Sequence, residues 1–454
     1  MPVAAARGQQ LNQLISRRQK PGRFLAAFLT TLLLAPLSMA LTDGFLLPVS
    51  LAATAPPPLQ PWIDATPTGG TLNVPPGVYS GPVLISRPIL IDGKGKVTVD
   101  GGGKGTVIAL RASGATLRGL HITHSGDSHD SIDSGILIEK GNDNLIDNNV
   151  IDDVMFGITV HQSNDNRLSN NRIRSKPYEI ADRGDGIRLW YSMGNRIEAN
   201  DIATIRDITV SNSPRNRFVG NSIRDSRRAM NFLFSHRSLI ENNLFSHNAT
   251  GITILNSEGM IIRRNRIMHA MDASGAGIAL KESSAVLVHE NEIIHCAVGI
   301  LADSPLDPIN RIALIENRIA YNVTGVNFYG EKGGHLILRN RFEHNLWHAM
   351  VGDSSSSADS GGSGSSLGNA WHGNYWDDYE GFDRNNDGVG DTPYEIWAYS
   401  DRIWMDNPMA KFFRNSPVLE LLDFLERLAP FALPSMILRD PEPQAHAKKT
   451  AALK

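Results

Sequence analysis

The chain has 454 residues, 41% of them hydrophobic and only 7% aromatic, with 41 glycines, one cysteine and a formal net charge of −3. That balance gives no general pull toward nucleic acid, and the lone Cys296 excludes an intrachain disulfide. The fold must hold itself by packing and backbone hydrogen bonds, and a glycine-rich, aromatic-poor composition suits stacked β-turns better than helix packing.

The amino terminus reads as an export signal. Arg17, Arg18, Lys20 and Arg23 precede the apolar run Phe24 to Ala35, and small-residue cleavage sites follow at Ser38-Met39-Ala40 and Ser50-Leu51-Ala52. The run is shorter than the roughly 20 residues that a membrane span needs. Residues 1–53 are therefore expected to be a cleaved signal peptide, with an uncleaved anchor as the alternative. The segment from Pro56 to Pro61 is proline-rich, and short β-like segments then alternate with glycine turns.

From Gly135 a repeat decides the fold class. A Gly-Ile-x-Leu/Val motif recurs at Gly135, Gly157, Gly186, Gly251, Gly277, Gly299 and Gly325, with variants at Asp207 and Ala229. A second marker, Asn-x-Ile or Asn-x-Phe, recurs at Asn149, Asn171, Asn200, Asn221, Asn243, Asn265, Asn291, Asn317 and Asn340. Both keep a spacing of about 22 residues and share most of their longer steps, the signature of a solenoid. Such a coil accommodates three short strands, and stacking closes a core that one coil cannot bury. The expected fold is all-β: a right-handed parallel β-helix over residues 62–350, with Ile158, Val160, Ile187, Leu189, Ile252, Ile254, Ile278 and Leu280 pointing inward. The recurrent asparagines suit sharp left-handed turns and a stacked amide ladder. The longest step places an insertion at Arg174 to Asp185, which must leave the coil as a loop.

Residues 351–369 read as a Ser/Gly-rich linker or loop, residues 370–440 as a capping or docking region, and residues 441–454 as a disordered tail. Ser416 as N-cap and Pro417 at the first position start a helix. Its apolar face carries Val418, Leu419, Leu421, Leu422, Phe424, Leu425 and Leu428. That face suits either closing the end of the β-helix or docking on a membrane partner.

Three constellations carry candidate chemistry. Asp383, Asn385, Asp387 and Asp391 place hard oxygen ligands in a calcium-like loop, although Tyr394 stands where an EF-hand has its glutamate. Met268, His269 and Met271, with His295 and Cys296 in the next coil, offer thioether, imidazole and thiol groups suited to copper, especially Cu(I). His121, His124 and His129, and likewise His344, His348 and Met350, form sparser groups. Finally, the outward face of the Gly-Ile-x-Leu strands presents Thr159, His161, Arg188, Trp190, Lys281, Asp303 and Tyr329, a surface that suits polysaccharide.

Several motifs together resemble the NosD family of periplasmic nitrous oxide reductase maturation proteins. They are Gly186-Ile187-Arg188-Leu189-Trp190-Tyr191-Ser192, Asn195-Arg196-Ile197-Glu198, Arg206-Asp207-Ile208, Lys281-Glu282-Ser283, Gly373-Asn374-Tyr375-Trp376, Asp387-Gly388-Val389-Gly390-Asp391-Thr392-Pro393-Tyr394 and Ser416 to Phe424. The resemblance runs from about residue 65 to 440. It implies a non-enzymatic periplasmic protein that works with an ABC transporter, made of an ATPase and a permease, to assemble the copper–sulfide centre of nitrous oxide reductase. The apoenzyme and a copper chaperone would be further partners, and the C-terminal helix would face the permease. Family coils often read Met-Tyr-Ser, where this chain has Trp190-Tyr191-Ser192, Leu233-Phe234-Ser235 and Leu255-Asn256-Ser257. The alternatives are a uronate C5-epimerase or lyase, or a glycan-binding β-helix, on the same scaffold.

Overall fold

The computed structural model describes residues 55–305, 307, 309–329, 333–351, 368–398, 421, 424–425 and 435–447. The expected signal peptide lies outside the described residues. Among the described residues no helix is long and apolar enough to cross a membrane.

The repeat folds into a parallel β-solenoid. The Gly-Ile-x-Leu segments form a 12-stranded sheet from Val83–Ile85 to Trp347–Val351, each strand paired only with the coils before and after it. The remaining faces belong to a 24-stranded composite sheet, in which two rows of short strands run side by side. One row holds Arg196–Glu198 and its equivalents, the other Asp201–Ala203 and its equivalents. Register follows the repeat, with Ile158 opposite Ile187 and Val160 opposite Leu189. The eight inward aliphatics named from the sequence are all at most 1% exposed.

Between the two rows of the composite sheet the chain bends sharply, and here the marker asparagines sit. None of them takes a left-handed backbone; the residue before each does, and that residue is Ala199, Arg264, Glu290, Glu316 or Arg339 as readily as Asn. The turn-residue explanation is therefore incorrect for these asparagines, and the ladder explanation holds. Asn243 Nδ2 donates to Asn265 Oδ1 at 2.9 Å, Asn265 Nδ2 to Asn291 Oδ1 at 2.9 Å, and Asn291 Nδ2 to Asn317 Oδ1 at 3.0 Å. Each oxygen also accepts the backbone N–H of the preceding asparagine, and each Nδ2 reaches a carbonyl of an earlier coil. The ladder thus satisfies backbone groups that a bend would otherwise leave buried and unpaired.

Both ends are closed. At the start, a short helix, Gln60–Ala65, arises where the sequence suggested only proline-rich chain. Leu59 and Ile63 insert into the core, and the Arg87 guanidinium donates to the carbonyls of Ile63, Asp64 and Thr66 at the helix end. At the other end the solenoid continues beyond residue 350. Ala370–His372 and Tyr375–Trp376 add a further turn to the composite sheet. Gly368 and Asn369, assigned to the linker from sequence, bond to Gly334 and His335 and so belong to the coils. Phe342, Trp376 and Tyr394 stack with centroid spacings of 4.4 Å, and Tyr394–Ala398 pairs antiparallel with Ser435–Asp440. Residues 441–447 are likewise held, since Gln444 N–H donates to Asn374 O at 2.9 Å; the expected disordered tail does not begin at residue 441. Of the docking helix, Leu421, Phe424 and Leu425 are helical and exposed, while Val418, Leu419, Leu422 and Leu428 lie outside the described residues.

Candidate functional site

The fourth residue after each marker asparagine lies at the outer edge of the stack. In five consecutive coils it is His247, His269, His295, Tyr321 and His344. All five have left-handed backbones, with φ between 51° and 60°, which turns their side chains out of the coil. Their rings stack: His247 on His269 at 4.7 Å, His269 on His295 at 5.2 Å and 4° between planes, His295 on Tyr321 at 5.3 Å, and Tyr321 on His344 at 5.0 Å. These spacings are those of the β-ladder itself. Burial, reinforced by His247 and His295, holds the His269 imidazole below its usual pKa, so it is neutral near pH 7 and keeps a lone pair for a metal.

The structure thus brings His269 and His295 together. Met268 ends the strand Arg266–Met268 beside them, half-buried, and Met271 is exposed. Cys296 does not join this set. It follows the left-handed residue His295 and turns inward, fully buried, with its thiol donating to Ile294 O at 3.4 Å. Its backbone N–H donates to Asn322 Oδ1, so it occupies an inner ladder position, and burial pushes the thiol up to about 11. The sequence missed His247, Tyr321 and His344 as ladder members, yet counting four residues on from each marker asparagine finds them all.

Beyond His344 the ladder meets a mixed cluster. His344 Nδ1 lies 2.8 Å from Asp377 Oδ2, and His348 Nε2 lies 3.0 Å from Asp377 Oδ1 and 3.3 Å from Asp378 Oδ1. Tyr394 donates its hydroxyl to Asp378 Oδ2 at 3.0 Å. His348, Asp377 and Asp378 are close enough to share one ion, as are His289, Glu290 and Glu316. In the second group, however, Arg264 and Arg339 already pair with the two glutamates. His121, His124 and His129 do not cluster around one point: the first two pair with Asp152, Asp100 and Asp153, and His129 reaches Asp182 O.

The calcium-like loop is held by its own hydrogen bonds. Asp383 accepts the backbone N–H of Asp387 and of Gly388, Asp387 accepts that of Val389, Asn385 Nδ2 donates to Asp387, and Asp391 accepts Arg384 N–H.

A groove opens on the outer face of the 12-stranded sheet, about 380 Å³ in volume. Leu137, Thr159 and Arg188 align across three strands, and Glu139, His161 and Trp190 align two residues further along. Ser131 and Ile132 add a wall. The insertion at residues 174–185 is not a free excursion, because it buttresses the segment that carries this wall. Lys176 Nζ lies 3.1 Å from Asp127, and His129 Nε2 lies 3.1 Å from Asp182 O.

A family model described as "Periplasmic copper-binding protein (NosD)" matches residues 173–381, the part that holds the whole histidine ladder. A second, "Right handed beta helix region", matches residues 106–234. A protein of Stutzerimonas stutzeri named "Probable ABC transporter binding protein NosD" is 47% identical over 58 residues, covering 13% of each chain. A Pseudomonas aeruginosa protein of the same name is 45% identical over 58 residues, 13% of this chain and 14% of the relative. The matched segment therefore spans only a small part of these relatives. A surface adhesin of Streptococcus pneumoniae, PfbA, superposes with a TM-score of 0.51 at 13% identity, over 65% of this chain and 89% of its own. A mannuronan C-5 epimerase module from Azotobacter vinelandii gives 0.46 at 15% identity, over 69% and 93%. At such identities the adhesin speaks to the fold alone. The repeat and the solenoid make this chain a right-handed parallel β-helix protein, and over residues 173–381 it is similar to the NosD family.

Proposed function

We propose that the protein is a periplasmic accessory factor that handles copper for the copper–sulfide centre of nitrous oxide reductase, acting with an ABC transporter. The observation that carries this reading is the ladder of four imidazoles and one phenol on consecutive coils, within the segment that matches the copper-binding family. Copper here is cargo. A neutral imidazole is a good ligand for Cu(I) or Cu(II), and Met271, two residues after His269, adds an exposed thioether. Rings 4.7 to 5.2 Å apart are too far for one ion to lie in the plane of both as they stand, but rotation of exposed side chains tilts neighbouring nitrogens toward a shared ion. Repeated, similar sites suit transfer, because an ion leaves each as readily as it arrives.

The names of the two relatives support a transporter partner, and the exposed Leu421, Phe424 and Leu425 offer an apolar surface for a membrane permease. Reductase apoenzyme and a copper chaperone complete the proposed partners; calcium at Asp383, Asn385, Asp387 and Asp391 would stiffen the cap rather than take part in transfer. Deleting the gene and measuring the copper content and activity of periplasmic nitrous oxide reductase tests the proposal. Reductase present at normal level but lacking copper supports it, and a fully loaded, active reductase refutes it.

A further inference from the structure

A second site lies away from the histidine ladder, in the groove over Arg188. This guanidinium is half-buried and stands over two rings, 5.9 Å from the Phe156 centroid and 5.4 Å from that of Trp190. Those contacts hold it against the apolar side of the groove. Among the described residues no carboxylate pairs with it and no acceptor takes its N–H groups; the buried Asp185 carboxylate feels its charge without bonding to it and is itself held by Arg206. A pinned, partly desolvated fork of five donors is an incomplete structure, and its natural complement is a planar anion that accepts two parallel hydrogen bonds.

The rest of the groove narrows the ligand. Trp190 supplies one aromatic face and Leu137 an aliphatic floor, while Glu139, His161 and Ser131 rim the space with groups that exchange hydrogen bonds with hydroxyls. One anion site, one flat apolar surface and several hydroxyl partners, in a volume typical of small-ligand pockets, describe a sugar ring that carries a carboxylate. Glu139 is already paired with Arg111 at 2.7 Å, and His161 Nδ1 lies 3.9 Å from the same carboxylate. The groove therefore holds no free acid and base facing each other across a ring carbon, as proton abstraction would need.

We infer that this groove binds a carboxylate-bearing pyranoside, one or two rings long, with Arg188 on the carboxylate and Trp190 against the ring face. The inference does not depend on copper handling, since it uses another face of the solenoid. It gives the insertion at residues 174–185 a role in holding the wall that carries Ser131 and Ile132.

Calorimetric titration of the full chain with a defined uronic acid trisaccharide, and with the same trisaccharide reduced to its neutral form, tests the assignment. The acidic sugar is expected to bind at least about tenfold more tightly than the neutral one, the size of a charged hydrogen-bonded pair. Arg188→Gln should remove that preference, Trp190→Ala should weaken both sugars, and His269→Ala should change neither. If Arg188→Gln unfolds, Arg188→Lys keeps the charge without the fork and must still weaken the acidic sugar selectively. Failure of the wild type to bind the uronate, equal affinity for both sugars, or an Arg188→Gln protein that keeps the preference overturns the inference.

Discussion

Asp440 terminates the amide ladder at Asn374. Its Oδ2 accepts the backbone N–H of Asn374 at 2.9 Å and the side-chain Nδ2 at 2.8 Å, while its Oδ1 accepts Gly373 N–H at 3.1 Å. Trp376 Nε1 donates to the same carboxylate at 3.3 Å. Every amide in the ladder donates forward, so the row of dipoles ends with buried donors, and a carboxylate is the strongest acceptor to place there. Asp440→Ala should destabilise the last coils by about 3 kcal/mol, because it strands several buried donors. Coils of a solenoid feel chiefly their neighbours, so hydrogen exchange should quicken at Leu336–Leu338 and Tyr375–Trp376 and stay unchanged near Ile108–Leu110. A uniform loss of protection would contradict this.

Within the ladder, Asn265 accepts two hydrogen bonds from Asn243 and donates to Asn291 and Ile240. Asn265→Ala should cost about 2 kcal/mol or more. Asn265→Asp keeps the acceptor but loses the amide's donations forward to Asn291 and back to Ile240, and it should also destabilise, increasingly as pH rises through the carboxylate range. Chemical denaturation at two pH values separates the cases.

His335 is buried beneath the last coils, stacked on Phe328 at 4.5 Å, and burial lowers its pKa to about 4. The unfolded chain takes up this proton near the ordinary histidine value, the folded chain only near 4, so the unfolded state binds more protons in between. The stability contribution is complete above the ordinary value and is lost as pH falls toward 4, by about 3 kcal/mol in all. His335→Phe should flatten the melting-temperature profile in that window relative to wild type. A wild-type and variant difference that is constant with pH would refute the assignment.

Cys296 and His295 are neighbours in sequence with opposite fates, and copper binding should separate them. Cys296→Ala should leave Cu(I) stoichiometry unchanged, and the wild-type thiol should resist alkylation until the chain unfolds. His269→Ala combined with His295→Ala should remove bound copper without changing the melting temperature by more than a few degrees, since both rings lie at the outer edge. Competition with a chromophoric Cu(I) chelator reads both outcomes.

The solenoid was legible because its period is written twice, in Gly-Ile-x-Leu and in the marker asparagines, and inward alternation follows from strand geometry. The role of those asparagines was only half legible: residue preference at turns pointed to Asn149 and its equivalents, whereas the left-handed positions tolerate Ala199 and Glu316. The histidine ladder was legible in part. Met268, His269 and His295 stood out as soft ligands close in sequence, but His247, Tyr321 and His344 emerge only when coils are aligned. The place of Cys296 could not be read from spacing alone, because one residue past a left-handed turn reverses the direction of the side chain. The helix Gln60–Ala65 was hidden by prolines, and the Asn374–Asp440 contact by a sequence separation that no local pattern bridges.

The most direct test of copper handling is complementation of a deletion strain with a chain carrying Ala at His247, His269, His295 and His344, followed by measurement of copper per nitrous oxide reductase. The account predicts that wild-type protein restores a loaded reductase, and that the variant, present at the same periplasmic level, leaves it deficient in copper. Full copper loading with the variant would contradict the assignment of the ladder.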